Sequence, residues 1–237
     1  MHRRARGHAR ETRFDVAAIR RLASRVPAQS LQTEGFVLLK RPPSDAFQSL
    51  TIFSTEHGAL LVLQRIPKKS GATSTVLDLF DEVALALESS NQGRTWFLKE
   101  AQLIRRHPEL GRSYEALRFA SALAALVARN AVHEDSRAAV AELLRAAYAA
   151  LAAGGRPDIV YFKSVYRFAR DEGYPLKQQW FPTLPSADRA TVATLLNKPL
   201  TQQTAEPENV TRLQRRLDEY LRGHTEILVE SAADPET

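Results

Sequence analysis

The hydrophobic period of this sequence changes once, at Arg105-Arg106-His107-Pro108, and that switch limits what the chain can fold into. Upstream, from Glu34 to Ile104, short apolar stretches alternate with turn residues, the pattern of β-strands. Gly35–Leu39, Phe47–Thr55, Ala59–Ile66, Val83–Glu88 and Thr95–Ile104 read as five strands. Thr55-Glu56-His57-Gly58 forms one turn and Ser90–Arg94 the tip of the last hairpin, while Pro67-Lys68-Lys69-Ser70-Gly71 breaks the third strand with a basic loop. In the second strand Leu50 and Ile52 face one way, and Phe47, Thr51 and Phe53 are not cleanly opposed to them. Five short strands closely spaced fit a small closed barrel of the OB-fold kind. An SH3-like barrel or an open sheet fits the same count.

Downstream the period becomes helical. Ser113–Asn130 carries Leu117, Ala120, Ser121, Ala124 and Val127 on one face, with Ser113 placed to cap the N-terminus. Asp135–Ala153 is alanine-rich and stops at Gly154-Gly155. Pro157 opens a third helix that Gly173 ends. Tyr174–Pro185 reads as a connector around Trp180, followed by helices over Ser186–Asn197 and Pro207–Arg222. The expected architecture is α+β: a five-stranded OB-fold barrel over 31–106, then an all-α helical domain over 107–230. A basic extension, 1–30, precedes the barrel, with a short amphipathic helix over Phe14–Val26. An acidic tail, 231–237, follows the helices.

Charge and residue usage exclude several chemistries. The chain has no cysteine, which removes disulfides, iron–sulfur clusters, Cys-type zinc sites and cysteine nucleophiles. Its six histidines include no pair at metal-binding spacing, so neither a metal nor another cofactor is expected. Nucleotide-binding glycine loops and the Gly-x-Ser-x-Gly nucleophile signature are absent. Asp78, Asp81 and Glu82 form an acidic cluster better read as a solvated turn than as a magnesium site, and His57 and His107 read as loop residues rather than bases. No apolar run is long enough for a membrane span and no signal core opens the chain, so a cytoplasmic, non-enzymatic protein is expected.

The net charge of +6 resides in residues 1–30, where eight arginines face two acids; the rest holds 25 groups of each sign. Bulk charge therefore says nothing about the folded body, and any polyanion site must be local. Residues 1–30 are either a polycationic arm on phosphates or a solvated extension. Within the β module the cations fall at strand ends and loops: Lys40, Arg41, Arg65, Lys68, Lys69 and Arg94. Cations so placed on a barrel can form a groove that tracks a phosphate backbone, with Phe36, Phe47, Phe53 and Trp96 as candidate stacking surfaces.

With that module order in place, local wording resembles one bacterial family. Glu34-Gly35-Phe36-Val37-Leu38 leading to Lys40-Arg41-Pro42 is similar to the opening strand of the RecO recombination mediators. Ser44-Asp45 and Leu50–Gly58 resemble their second strand and turn. Phe97–Ala101, and Arg167-Phe168-Ala169 running to Glu172-Gly173-Tyr174, resemble later segments in the same order. The likeness runs from about residue 32 to 223. It implies an OB-fold barrel with a helical domain that binds single- and double-stranded DNA and anneals complementary strands. It further implies help from RecR in loading RecA during DNA repair and recombination (the RecFOR pathway), a nucleoid-associated location, and docking of the C-terminal tail of single-stranded-DNA-binding protein on the helical domain.

The sequence also departs from the family. The four-cysteine zinc module that many members carry after the third helix is missing, since Tyr174–Pro185 is short and has no cysteine. A Lys-Gly after the third strand is replaced by Gln64-Arg65, and Asp78 enters a Leu-Gln-Pro-Phe stretch. The resemblance carries Lys40, Arg41, Lys68 and Lys69 over as DNA contacts; Arg65 and Arg94 are added from chemistry alone. For a partner tail, Arg118, Arg129 and Arg167 are the candidate cations. The rival expectation is a divergent interaction adaptor that has lost significant DNA binding.

Overall fold

Five strands close on themselves because each has one face that must leave water and no strand can be left as an edge. In the computed structural model, which describes residues 29–44, 46–66, 76–89 and 92–230, they are β1 (Gln29–Lys40), β2 (Phe47–Ser54), β3 (Gly58–Arg65), β4 (Glu82–Ser89) and β5 (Trp96–Arg105). The closed order is β1-β2-β3-β5-β4, with β3 and β5 parallel through Val62↔Trp96 and the other pairs antiparallel. This is an OB-like barrel. Val37, Leu50, Ile52, Leu60, Val62, Val83, Leu85, Leu87 and Trp96 fill its interior, with Leu77. β1 is longer than the apolar run Gly35–Leu39 because Gln29–Thr33 also pair with β4, through residues too polar to register as a buried strand. Gly35 lies where β1 and β2 leave no room for a side chain: a Cβ there would stand 2.5 Å from the Phe53 carbonyl oxygen.

The unbroken apolar run Phe36–Leu39 is explained by burial on both faces. Val37 points into the barrel, while Phe36, Leu38 and Phe53 point outward into a second core shared with the helices. Phe80 joins them from a turn held at φ 69°, a conformation costing about 1–2 kcal/mol for a residue with a Cβ. The turn is pinned by the Phe80 N–H donating to the Val37 carbonyl at 2.9 Å, and the Phe80 ring meets Tyr148 at 5.2 Å. Barrel and helices are therefore continuous in packing.

The helical part comprises α1 (Tyr114–Arg129), α2 (Arg137–Ala152), α3 (Pro157–Asp171), α4 (Leu176–Gln179), α5 (Ser186–Asn197) and α6 (Pro207–His224). Ser113 caps α1 as its sequence position requires, its hydroxyl accepting from the Ala116 N–H at 3.2 Å. α3 is the central helix, with Ile159, Phe162, Val165, Phe168 and Ala169 wholly buried. Gly173, at φ 90°, ends it and lets the Tyr174 N–H reach back to the Ala169 carbonyl at 3.0 Å. The connector after it is ordered, not open: it forms the single turn α4 and a 3-10 turn, Phe181–Thr183, anchored by buried Leu176, Trp180 and Leu184.

One buried acid works against this core. The Asp218 carboxylate on α6 is nearly inaccessible and accepts a hydrogen bond from Gln214 at 2.6 Å; burial pushes its pKa from 3.8 up to about 6. A carboxyl that binds its proton more tightly when folded stabilises below its unfolded pKa. That contribution is lost as pH rises through about 6. The linkage amounts to no more than about 3 kcal/mol. Asp218→Asn should therefore raise stability at pH 7.5 by about 1–2 kcal/mol and flatten its pH dependence between pH 4 and 7, read by urea unfolding across that range.

Candidate nucleic-acid interface and partner cavity

The helices cover the outer side of β1 around Phe36 and Leu38 and the C-terminal half of β2, which decides which barrel faces stay open. Phe36 and Phe53 are buried under the helices and Trp96 is inside the barrel, so these three candidate stacking residues cannot meet a ligand. One face left open is the outer side of early β2, β3 and early β5. There Phe47 stands opposite Arg65, Ser49 opposite Leu63, and Leu63 beside Phe97. Phe47 and Phe97 are half-buried, and their rings meet edge to face with centroids 5.8 Å apart. Leu61, on the same side of β3, is exposed.

Arginines border this face. Arg41 follows β1 and its N–H donates to the Ser49 carbonyl at 3.0 Å, which sets it beside β2 near Phe47 and Arg65. Arg94 precedes β5 by two residues, and Trp96 pairs with Val62, three residues before Arg65. Strand rise therefore separates Arg94 from Arg65 by roughly 17 Å along the barrel. Among the described residues, Arg41, Arg65 and Arg94 form no ion pair. Lys40 differs: its ammonium is held by Asp78 and the Leu77 carbonyl, each at 3.2 Å, so much of its field is cancelled. Lys99 is likewise paired, with Glu88 at 2.6 Å. Lys68, Lys69 and residues 1–28 lie outside the described residues. The opposite side of the barrel carries Glu34, Glu56 and Glu100 around a shallow depression, a field that repels phosphate.

The acidic cluster is committed to the domain junction. Arg106 holds Asp81 through two hydrogen bonds, at 2.7 and 2.5 Å, and the same bond keeps its guanidinium above the ordinary arginine pKa. Arg145 of α2 holds Glu82 at 3.0 and 2.5 Å, and Arg137 donates to the Glu56 carbonyl at 2.7 Å. Among the described residues no group of acids and histidines is arranged to hold a metal. His57 lies by Glu56 on an exposed turn; His107 is held below its usual pKa first by burial and then by Arg105.

A second site lies on the helical domain. A cavity of about 730 Å³ opens between α2, α3, the connector and α5. Its walls include Leu143, Ala147, Val160, Phe181 and Leu196. Its charged lining residues are Lys163, Arg167, Arg170 and Lys177. Just outside the lining, Asp171 holds Arg170 at 2.6 Å and Arg167 at 3.4 Å, so one carboxylate offsets part of this positive charge. Burial holds Lys163 below its ordinary pKa, and its ammonium donates to the Lys198 carbonyl at 3.0 Å. Of the three arginines expected from sequence to hold a partner tail, Arg167 lines this cavity. Arg118 lies over the Phe119 ring at 4.2 Å and Arg129 pairs with Glu230; neither lines it.

Two features are not among the sequence expectations, although the residue pattern carries a signal for each. Phe97 follows Trp96 in a strand, so one of the two must face outward, and period alone assigns the pair. Lys163 and Arg170 join the expected Arg167 on one face of α3, which the i, i+4, i+7 pattern marks directly. No protein-family model matches the chain, and no curated protein matches it either.

Proposed function

We propose that this chain is a non-enzymatic DNA-binding mediator of recombinational repair, as its resemblance to the RecO family implies. The observation that carries the reading is the open barrel face with Arg41, Arg65 and Arg94 unpaired among the described residues. Guanidinium groups there neutralise phosphates and release counterions, which holds a strand without reading its sequence. Annealing then needs no covalent chemistry, because proximity lowers the encounter cost and base pairing supplies selectivity. RecR and the tail of single-stranded-DNA-binding protein are the proposed partners. An apolar cavity whose four charged lining residues are cations, two of them sharing the single carboxylate of Asp171, keeps a net positive charge and suits a peptide ending in apolar side chains and a free carboxylate. The test is direct titration of the full chain with a labelled single strand and a duplex. Affinity should fall steeply with salt on both, and a salt-independent or absent signal would remove the reading.

The tail site yields its own expectation. A peptide with acidic residues before an apolar C-terminus should lose more than about tenfold in affinity on Arg167→Ala with Arg170→Ala, since each charge-assisted contact is worth roughly 1.5–3 kcal/mol. Arg118→Ala and Arg129→Ala should change it less than about twofold, because neither lines the cavity. Fluorescence anisotropy decides; equal losses at both pairs would relocate the site.

A second reading, an interaction adaptor with little DNA affinity, is favoured by the Lys40–Asp78 and Lys99–Glu88 pairs, which cancel two barrel cations. It keeps the cavity and predicts no strand binding by the barrel.

A further inference from the structure

We propose that the Phe47–Phe97 ring pair is a base-stacking platform that makes the open barrel face select unpaired nucleotides over duplex. The inference rests on that face being the nucleic-acid site and adds what the site recognises. An outward strand position on a barrel is ordinarily polar where no domain covers it. Here the helices stop short, yet Phe47, Phe97, Leu61 and Leu63 lie together in register across β2, β3 and β5. The two rings brace each other edge to face at 67°, so neither is a loose side chain on the surface. Polar neighbours on this side of β2 are Ser49 and Thr51, uncharged. Beside Phe97 its cross-strand partner Glu88 is neutralised by Lys99 at 2.6 Å, so the net charge bordering the patch is that of Arg41, Arg65 and Arg94.

An apolar protein surface would satisfy the leucines equally well, but the charge favours a polyanion with flat apolar faces. A single-stranded nucleic acid has that chemistry: its phosphates meet Arg41 and Arg65 while a base lies against a ring. A duplex presents the same phosphates but keeps its base faces inside its own stack. The arginines therefore serve both forms and the rings serve only the unpaired one. Base–aromatic stacking is worth roughly five- to a hundredfold per base.

The experiment uses the full chain and three probes: a thymidine oligonucleotide, an abasic sugar-phosphate strand of the same length, and a duplex. The wild-type protein should prefer the thymidine strand to the abasic strand by about tenfold; equal affinity overturns the proposal without any variant. Phe47→Leu with Phe97→Leu keeps apolar bulk but removes both rings. It should abolish most of that preference while leaving duplex affinity within about twofold and the salt slope unchanged. Retention of the preference, or an equal loss on duplex, overturns it. Arg41→Ala with Arg65→Ala distinguishes loss of the phosphate contacts from loss of the stacking rings. If this variant binds all three probes like the wild type, the barrel reading itself fails. If it weakens all three while the leucine variant changes none, only the platform fails.

Discussion

Arg145→Ala should lower the free energy of unfolding by about 2–3 kcal/mol. Arg145 projects from α2 to Glu82 on β4, with Nε at 3.0 Å and Nη2 at 2.5 Å, and its guanidinium lies 5.6 Å from the Phe36 ring centroid. The hydrogen bond to Glu82 is the first reason the guanidinium stays above its ordinary pKa. Glu82 is only 7% exposed, and its remaining cation, Arg105, is 3.9 Å away. Truncating Arg145 therefore strands a buried carboxylate, which costs about 3–5 kcal/mol where the pair is fully enclosed. Because Arg145 itself is 31% exposed, solvent screens part of that interaction and the lower figure applies. Glu142, the other acid touching Arg145, is 64% exposed, so Glu142→Ala should change stability by less than about 0.5 kcal/mol. Urea unfolding followed by both circular dichroism and tryptophan fluorescence checks this. The two probes should move together, because Trp96 and Trp180 report from the barrel and the helices and the outer barrel residues share the helical core.

The barrel is legible in the sequence because its interior residues obey a period of two and its turns carry Gly58 and the Gly93 hairpin. Both glycines sit at positive φ. The helices are legible from capping and stop signals, and Ser186–Asn197 is found with both ends as expected. Two kinds of information are missing from the local pattern. The first is burial on an outward face: Phe36 and Phe53 look like stacking candidates in a strand pattern, and only the docked helices reveal them as core. The second is ion pairing over long separations. Nothing local in the sequence shows that Asp78 holds Lys40, or that Glu82 is claimed by Arg145, 63 residues later. The connector Tyr174–Pro185 reads as irregular because its prolines break helix signals. Its order comes instead from the tertiary burial of Leu176, Trp180 and Leu184.

The central claim is that the barrel holds a nucleic-acid backbone through its unpaired arginines, and salt dependence tests it most directly. Each phosphate neutralised on a single strand contributes about 0.7 to the logarithmic salt slope. Arg41→Ala, Arg65→Ala and Arg94→Ala combined should therefore flatten that slope by about 2. Equivalently, a fourfold rise in salt should cost the variant about 16-fold less affinity than it costs the parent. The loss at low salt should be alike for every sequence, since phosphate contacts carry no base information. The eight arginines of residues 1–30 can bind DNA unaided, so the titration is made both in the full chain and in a chain without residues 1–28. The account predicts the same slope difference in both backgrounds. If the shortened chain and its triple variant bind a single strand with one affinity and one salt slope, the barrel is not the nucleic-acid site, and the adaptor reading stands in its place.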